Sequence, residues 1–392
     1  MQPGELEGLP EEIVKLFYDM QNRVMDDVVR RIYKTGGITS TADYQINRLM
    51  GMGQTTEFIE AEIKRLTKAT YPEIWEIYDQ VVEKEFVRNR VLYEQINANY
   101  IPYSQNHQLQ AWVEGMRAQT LGEFKNISQS LGFMVDMGHG KKVFTPLSEY
   151  YQKYVDRACL DIVTGTFDYN TVLRRVSSEM SESGLRTVDY ASGISTRATV
   201  AARRAIMSGV NQVSANINIY NARQLGTNDF EITWHSGHRP DHWWGGLVMS
   251  YEDLVSVCGY GTAAGLLGAN CKHNINPFVR GASTRLYTDE QLAEMERKEA
   301  QTRTYSGKEY NACDATQKQR DMERKMQVQR SKIVNLKKGS GVREDIEAAQ
   351  SRYLQQLRDY KAFSGRMGLE PQMERVYVDR LGRVVNNWKY SA

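Results

Sequence analysis

Proline is scarce in this chain, with 8 among 392 residues, well below the usual ~5%. A proline ring clashes with the carbonyl one turn back and brings no N–H, so long helices exclude it from their interiors. So few prolines, beside 16 methionines, predict a mainly helical protein. Cysteine is equally sparse. Cys159, Cys258, Cys271 and Cys313 form no C-x-x-C pair, which excludes a disulfide scaffold and points to a reducing compartment. No run approaches the ~18 consecutive apolar residues that a membrane span needs. The first residues, rich in glutamate, lack the apolar stretch of an export signal, so a soluble chain is expected. Net charge is almost absent too, at +2, which gives the whole chain no preference for nucleic acid or an anionic surface. Hydrophobic residues at 41% and charged residues at 25% are what remain, and they exclude wholesale disorder.

The charge is uneven once the chain is divided. Residues 1–145 carry 16 basic and 20 acidic side chains, residues 146–284 carry 12 of each, and residues 285–370 carry 18 and 14. This gives four expected regions: a helical N-terminal domain at 1–145, a small central α+β domain at 146–284, a basic helical region at 285–370 and a tail at 371–392. In the first, Ile13, Phe17, Met20, Val24, Val28 and Ile32 recur at steps of three and four, one face of a helix ending at Gly36-Gly37. Further helices are expected over 41–50, 56–67, 72–96 and 104–117. Thr120 and Glu123 have the spacing of a capping box that would start another. The central region predicts helices over 148–163, 168–181 and 195–225. The period then changes. Phe230, Ile232 and Trp234 alternate with Glu231, Thr233 and His235, the pattern of a half-buried strand. Residues 236–283 lose all helical period and fill with Gly, His, Trp and Asn. Beyond them, helices at 311–338 and 343–363, broken by Gly339-Ser340-Gly341, read as a C-terminal helical hairpin, and the tail reads as a short β-hairpin.

Between Thr316 and Lys338 stand eight basic residues, Lys318, Arg320, Arg324, Lys325, Arg330, Lys332, Lys337 and Lys338, against two acidic ones. Such a run is either a solvated helix face or a surface for the phosphates of double-stranded DNA, bound without regard to base sequence.

Four of the six histidines and two of the four cysteines fall within residues 235–273. Three readings are open. His238, His242, Cys271 and His273 are candidate ligands for a structural zinc ion, which would steady an irregular, glycine-rich segment. Asp241, His242, Asn270 and His273 follow the order of residues in an HNH nuclease, where a histidine activates water beside a metal. The third reading is a packed polar network around Trp234, Trp243 and Trp244 with no metal and no chemistry. No phosphate-binding loop, serine elbow or zinc-protease helix is present. The glycines at 259, 261 and 265 read as turn chemistry.

The same stretch carries a resemblance. Trp234, His235, His238, Arg239, Pro240, Asp241 and His242 come first, with Gly246 and the Gly259-Tyr260-Gly261 turn after them. Gly268, Asn270, Cys271, Lys272 and His273 follow, then Pro277, Phe278 and Gly281. Together they resemble the phage minor capsid proteins of tailed phages, relatives of the Mu F-type head morphogenesis proteins. His235, Arg239, Asp241 and Asn270 belong to the shared motif. Segments around Ile38–Ile46, Tyr305–Arg324 and Gly368–Arg375 extend it. Lys272 stands where arginine is usual, and Gly245 where glutamine is. The resemblance implies a structural protein, not an enzyme, present in few copies inside the head after assembly in the bacterial cytoplasm. The implied partners are the portal protein, the major capsid or scaffolding protein, and packaged DNA during storage or ejection. No membrane is among them. On that reading, residues 1–145 dock on protein and residues 316–338 face DNA.

Overall fold

A computed structural model describes residues 3–38, 41–136, 141–189, 192–268 and 271–385, with the backbone alone over 41–54. In chain order, helices α1 (Pro3–Gly8), α2 (Glu11–Thr35), α3 (Thr41–Gln95) and α4 (His107–Gln129) precede strands β1 (Leu131–Asp136) and β2 (Lys142–Pro146). A helical stretch follows as α5 (Leu147–Glu149), a π turn at Tyr150–Val155, α6 (Asp156–Val163) and α7 (Tyr169–Ser183). Next come β3 (Arg186–Val188), β4 (Ser195–Arg197), α8 (Ala198–Gln224), β5 (Asp229–Ile232), β6 (Val248–Ser250), α9 (Tyr251–Ser256) and β7 (Ile275–Phe278). The chain closes with α10 (Asp289–Ala300), β8 (Arg303–Tyr305), β9 (Lys308–Tyr310), α11 (Ala312–Lys338), α12 (Arg343–Met367) and α13 (Met373–Tyr377). The fold is mainly α, as composition predicts.

Several elements stand where the periodicity puts them. The six-residue stripe of α2 is buried from Ile13 to Ile32. α8, α11 and α12 match their expected spans, and β5 carries the alternation from Phe230 to Ile232. Other elements differ. The three helices expected between Thr41 and Ile96 are one, α3, with Pro72 inside it. Leu66, Thr70, Ile74, Ile77 and Val81 are buried on both sides of that proline, so packing outweighs the one hydrogen bond that Pro72 cannot give. Thr120 caps nothing. It lies within α4, and its hydroxyl is 2.7 Å from Tyr78 Oη. The capping box that does form is Thr288 with Gln291, at the start of α10. The tail forms no β-hairpin among the described residues: Val376 is in α13, and Asp379 and Val384 are buried beyond it. The early-helix resemblance at 39–46 lies outside the described side chains.

By compactness the chain divides into two units, each drawn from three stretches. Sequence order and compactness therefore partition it differently. One unit holds residues 1–13, 70–124 and 202–318. Its sheet is antiparallel in the order β6-β5-β7. Phe230, Ile232, Trp244, Leu254, Cys258, Leu266, Cys271 and Ile275 form its core with Ala215 and Ala222 of α8. Gly209 of α8 lies under Tyr78, whose hydroxyl would be 2.0 Å from any Cβ placed there, so only glycine lets α3, α4 and α8 come together at this point.

The other unit holds residues 14–69, 125–201 and 319–392. Its sheet runs β2-β1-β3-β4, antiparallel throughout. Helices α11 and α12 pair antiparallel: Gln319 with Ser364 (3.1 Å), Glu323 with Tyr360 (3.0 Å) and Gln329 with the Ala349 carbonyl (3.0 Å). The segment after α12 straps across this hairpin. Arg330 donates to both carboxylate oxygens of Asp379 at 2.7 and 2.9 Å, with both side chains 2% exposed. Lys337 and Gln350 donate to the Val384 carbonyl at 2.7 and 3.0 Å.

Candidate functional site

The histidines gather where β5 ends and the chain enters β7. Thr233 and Asn274 pair across these strands, Thr233 N–H donating to the Asn274 carbonyl at 2.8 Å and Asn274 N–H to Thr233 Oγ1 at 2.8 Å. This brings His273 beneath the loop of residues 234–246. His273 is fully buried. Its ring centroid is 4.4 Å from that of His235, 5.5 Å from His242, 6.1 Å from His238 and 4.7 Å from Trp244. All four clustered histidines therefore surround one point, as their density in the sequence suggests.

Each ring is fixed by its hydrogen bonds. A backbone carbonyl only accepts, so a ring nitrogen beside one carries the proton. His273 Nδ1 donates to the Thr233 carbonyl at 2.6 Å, His235 Nδ1 to Ser236 at 3.1 Å and His238 Nδ1 to Arg239 at 3.0 Å. His238 Nε2 faces Glu296 at 3.1 Å, and Trp234 Nε1 donates to the same carboxylate oxygen at 3.1 Å. His242 Nε2 is 3.1 Å from the Ala264 carbonyl and touches the Arg239 guanidinium, which also donates to that carbonyl. His242 Nδ1 faces Cys271 Sγ at 3.9 Å. His273 Nε2 is buried and has no hydrogen-bond partner. Burial, then the neighbouring His235, brings the His273 pKa down to about 3. Burial, with Lys272 and His238 nearby, brings His235 down to about 4. Burial raises the Cys271 thiol and pushes Cys258 up to about 12. Near neutral pH, His235 and His273 are uncharged and both thiols keep their protons.

Of the proposed zinc ligands, His238, His242, Cys271 and His273 all lie in this cluster. Among the described residues, however, no three His, Cys, Asp or Glu side chains have their ligating atoms gathered as a metal would hold them. Of the nuclease-like quartet, Asp241 is a surface residue, its side chain 65% exposed and 3.4 Å from Arg239. Asn270 lies outside the described residues. The glycine turn is a turn: Gly265 sits so close to the Gly259 carbonyl that a Cβ would be 2.1 Å from it.

Three acidic residues in this region carry no motif, and sequence reasoning misses them. Glu296 and Glu299 of α10 hold the histidine loop, Glu299 accepting from Ser236 Oγ (2.5 Å) and Gly237 N–H (2.7 Å). Glu85 of α3 is fully buried and accepts from Ser214 Oγ (2.8 Å), Asn218 Nδ2 (3.1 Å) and Asn274 Nδ2 (3.0 Å). Asn89 donates to Asn218 (2.8 Å) and Tyr93 to Asn221 (2.9 Å) in continuation. One signal could have found Glu85: polar residues at 85 and 89 and at 214 and 218 recur at core-facing spacing.

The basic run of α11 is largely committed within the protein. Arg330 is buried against Asp379, which corrects its assignment to a DNA-facing surface, because a sealed guanidinium reaches no phosphate. Arg320 pairs with Glu323 at 3.3 Å. Arg324 and Lys325 share Asp321 at 3.4 and 2.9 Å, Lys337 donates to the Val384 carbonyl, and Lys338 pairs with Asp26. Burial lowers the Lys332 pKa, with Arg352 adding to it. Lys318 also has a partner within the protein. About half of the side chain is exposed on Arg324 (51%), Lys325 (59%) and Lys338 (48%).

A family model described as phage minor capsid protein 2 matches residues 1–363 of the chain. No curated protein and no solved structure matches it.

Proposed function

The chain belongs to the phage minor capsid protein 2 family, and from that membership we propose a protein held inside the head in few copies, associated with the portal and in contact with packaged DNA. The family makes it a structural component of the virion. The observation that carries the reading is the reach of the match, which takes in parts of both compact units and both marked segments, the histidine cluster and α11. No helix among the described residues is long and apolar enough to cross a membrane. For DNA, the supporting groups are Arg324, Lys325 and Lys338, half-exposed and paired to carboxylates at the surface, where such pairs contribute ~0–1 kcal/mol and exchange readily for phosphate. Portal or major capsid contact rests on family membership alone.

The DNA contact is tested by titrating duplex DNA against the full chain over a range of salt. Replacing Arg324, Lys325 and Lys338 with Gln should flatten the salt dependence by roughly 0.9 for each phosphate that is no longer neutralised. An unchanged slope would remove DNA from the partners. The nuclease alternative is tested on the same preparation, where we expect supercoiled plasmid to stay intact with divalent metal present.

One atom favours a structural zinc as a second element of the proposal. His273 Nε2 carries a lone pair, is sealed from water and is unpartnered. A zinc ion on His238, His242, Cys271 and His273 would engage it, after side-chain rotations that gather the ligands. Elemental analysis of protein purified without chelator should find about one zinc per chain. Its absence would leave the polar network as the whole account of the cluster.

A further inference from the structure

Two arginines face each other across the short β3–β4 ladder. Arg186 and Arg197 are direct register partners, which places their Cα atoms about 5 Å apart. Like charges directly opposite on an antiparallel pair destabilise it unless something compensates. Arg186 Nε donates to Ser195 Oγ at 2.8 Å and its Nη2 to the Ser195 carbonyl at 2.6 Å. Arg197 Nη2 donates to the Glu182 carbonyl at 2.9 Å. These acceptors are neutral. Neither guanidinium has a carboxylate partner among the described residues, unlike Arg330 with Asp379 or Arg23 with Glu62 in the same unit.

Burial lowers the pKa of both arginines; the charge of Arg197 adds to this at Arg186, and that of Arg324, on α11, adds to it at Arg197. The Tyr18 phenol acts on Arg197 in the opposite direction. Arg186 and Arg197 are each half-buried, so part of each side chain stays open to solvent.

We propose that Arg186 and Arg197 form a binding site for a phosphate oxyanion, with Arg324 at its margin. A tetrahedral anion bridging two guanidinium forks receives charge-assisted hydrogen bonds from both and removes the repulsion between them. The phosphodiester backbone of packaged DNA is the source this site fits. That assignment rests on the DNA reading above, whereas the oxyanion site itself does not.

The experiment uses the full chain and an R186Q/R197Q variant, with R197K as a companion that keeps the charge and loses the fork. Thermal unfolding is followed in inorganic phosphate and in chloride at equal ionic strength. We expect phosphate to raise the wild-type Tm by about 2–4 °C, with no rise in the double variant and a reduced one in R197K. If phosphate raises wild type and double variant equally, or neither, the site is wrong. If the double variant does not fold, R197K alone decides, and a full phosphate response in it overturns the proposal. Duplex titration separates the sources. Several-fold weaker DNA binding by the double variant assigns the site to the DNA backbone; unchanged DNA binding with a lost phosphate response overturns the DNA assignment and leaves a free-anion site.

Discussion

Around His273 and Glu85, carboxylates and backbone carbonyls accept from amides, hydroxyls, an indole, imidazoles and backbone N–H groups. In the α11–α12 hairpin, one of the fully buried polar contacts is an ion pair, Arg330 with Asp379. The difference follows from what each has to hold. Residues 233–278 include long stretches without helix or strand, so their backbone groups need many directed partners, and side chains of α8 and α10 supply some of them, Asn211 to the Cys271 carbonyl and Glu299 to the Gly237 N–H. The hairpin already satisfies its own backbone. There, one bidentate pair has only to fix where a single strap crosses, which is the registry role that a buried ion pair performs best.

Breaking the ion pair should have the largest effect. D379N leaves the buried Arg330 guanidinium without a counter-charge, at a cost of about 3–5 kcal/mol in urea unfolding, while the double replacement R330M/D379L, which removes both charges, should recover most of it. If D379N costs under ~1 kcal/mol, the strap is not held as described. In the network around Glu85, E85A strands the donors on Ser214, Asn218 and Asn274 and should cost about 2–4 kcal/mol. E85Q fills the same space, so its cost should be smaller. An equal cost for the two would mean that volume matters there and hydrogen bonding does not. G209A pushes a methyl group into the Tyr78 hydroxyl and should cost about 1–3 kcal/mol. The G209A/Y78F pair should recover part of that, because the clashing oxygen is gone.

The smallest effect is a pH dependence common to both units. Burial pushes the pKa of Tyr18 and of Tyr78 up to about 12. A phenol whose folded pKa lies above its unfolded value of about 10 contributes stability that is intact below pH 10 and is lost as pH climbs toward 12. Melting temperature should therefore fall between pH 10 and 12, and Y18F should reduce that fall. A fall confined to lower pH would point to other groups.

Regular amphipathic elements are legible in the residues alone. The α2 stripe, α8, α11, α12 and the alternation of β5 each expose one face to water, which writes a period into the chain. β1 is not legible, because Leu131, Phe133 and Val135 are buried and Gly132 and Met134 between them are also non-polar, so no alternation appears. β3 and β4, three residues each, are too short to show one. The continuity of α3 across Pro72 depends on neighbours far away in sequence. At the candidate site, the density of histidines locates the cluster, whereas Glu85, Glu296 and Glu299 reach it from other helices and leave no local motif. The charge run on α11 misleads at Arg330, because net charge along a helix does not tell which side chain meets a distant aspartate.

Placement in the virion is the central claim, and cross-linking with mass spectrometry on intact, DNA-filled heads tests it most directly. The account predicts cross-links from this chain to the portal protein, DNA adducts at Lys325 or Lys338, and no loss of the protein when intact heads are treated with protease. Removal by external protease, with no portal or DNA adduct, would contradict it.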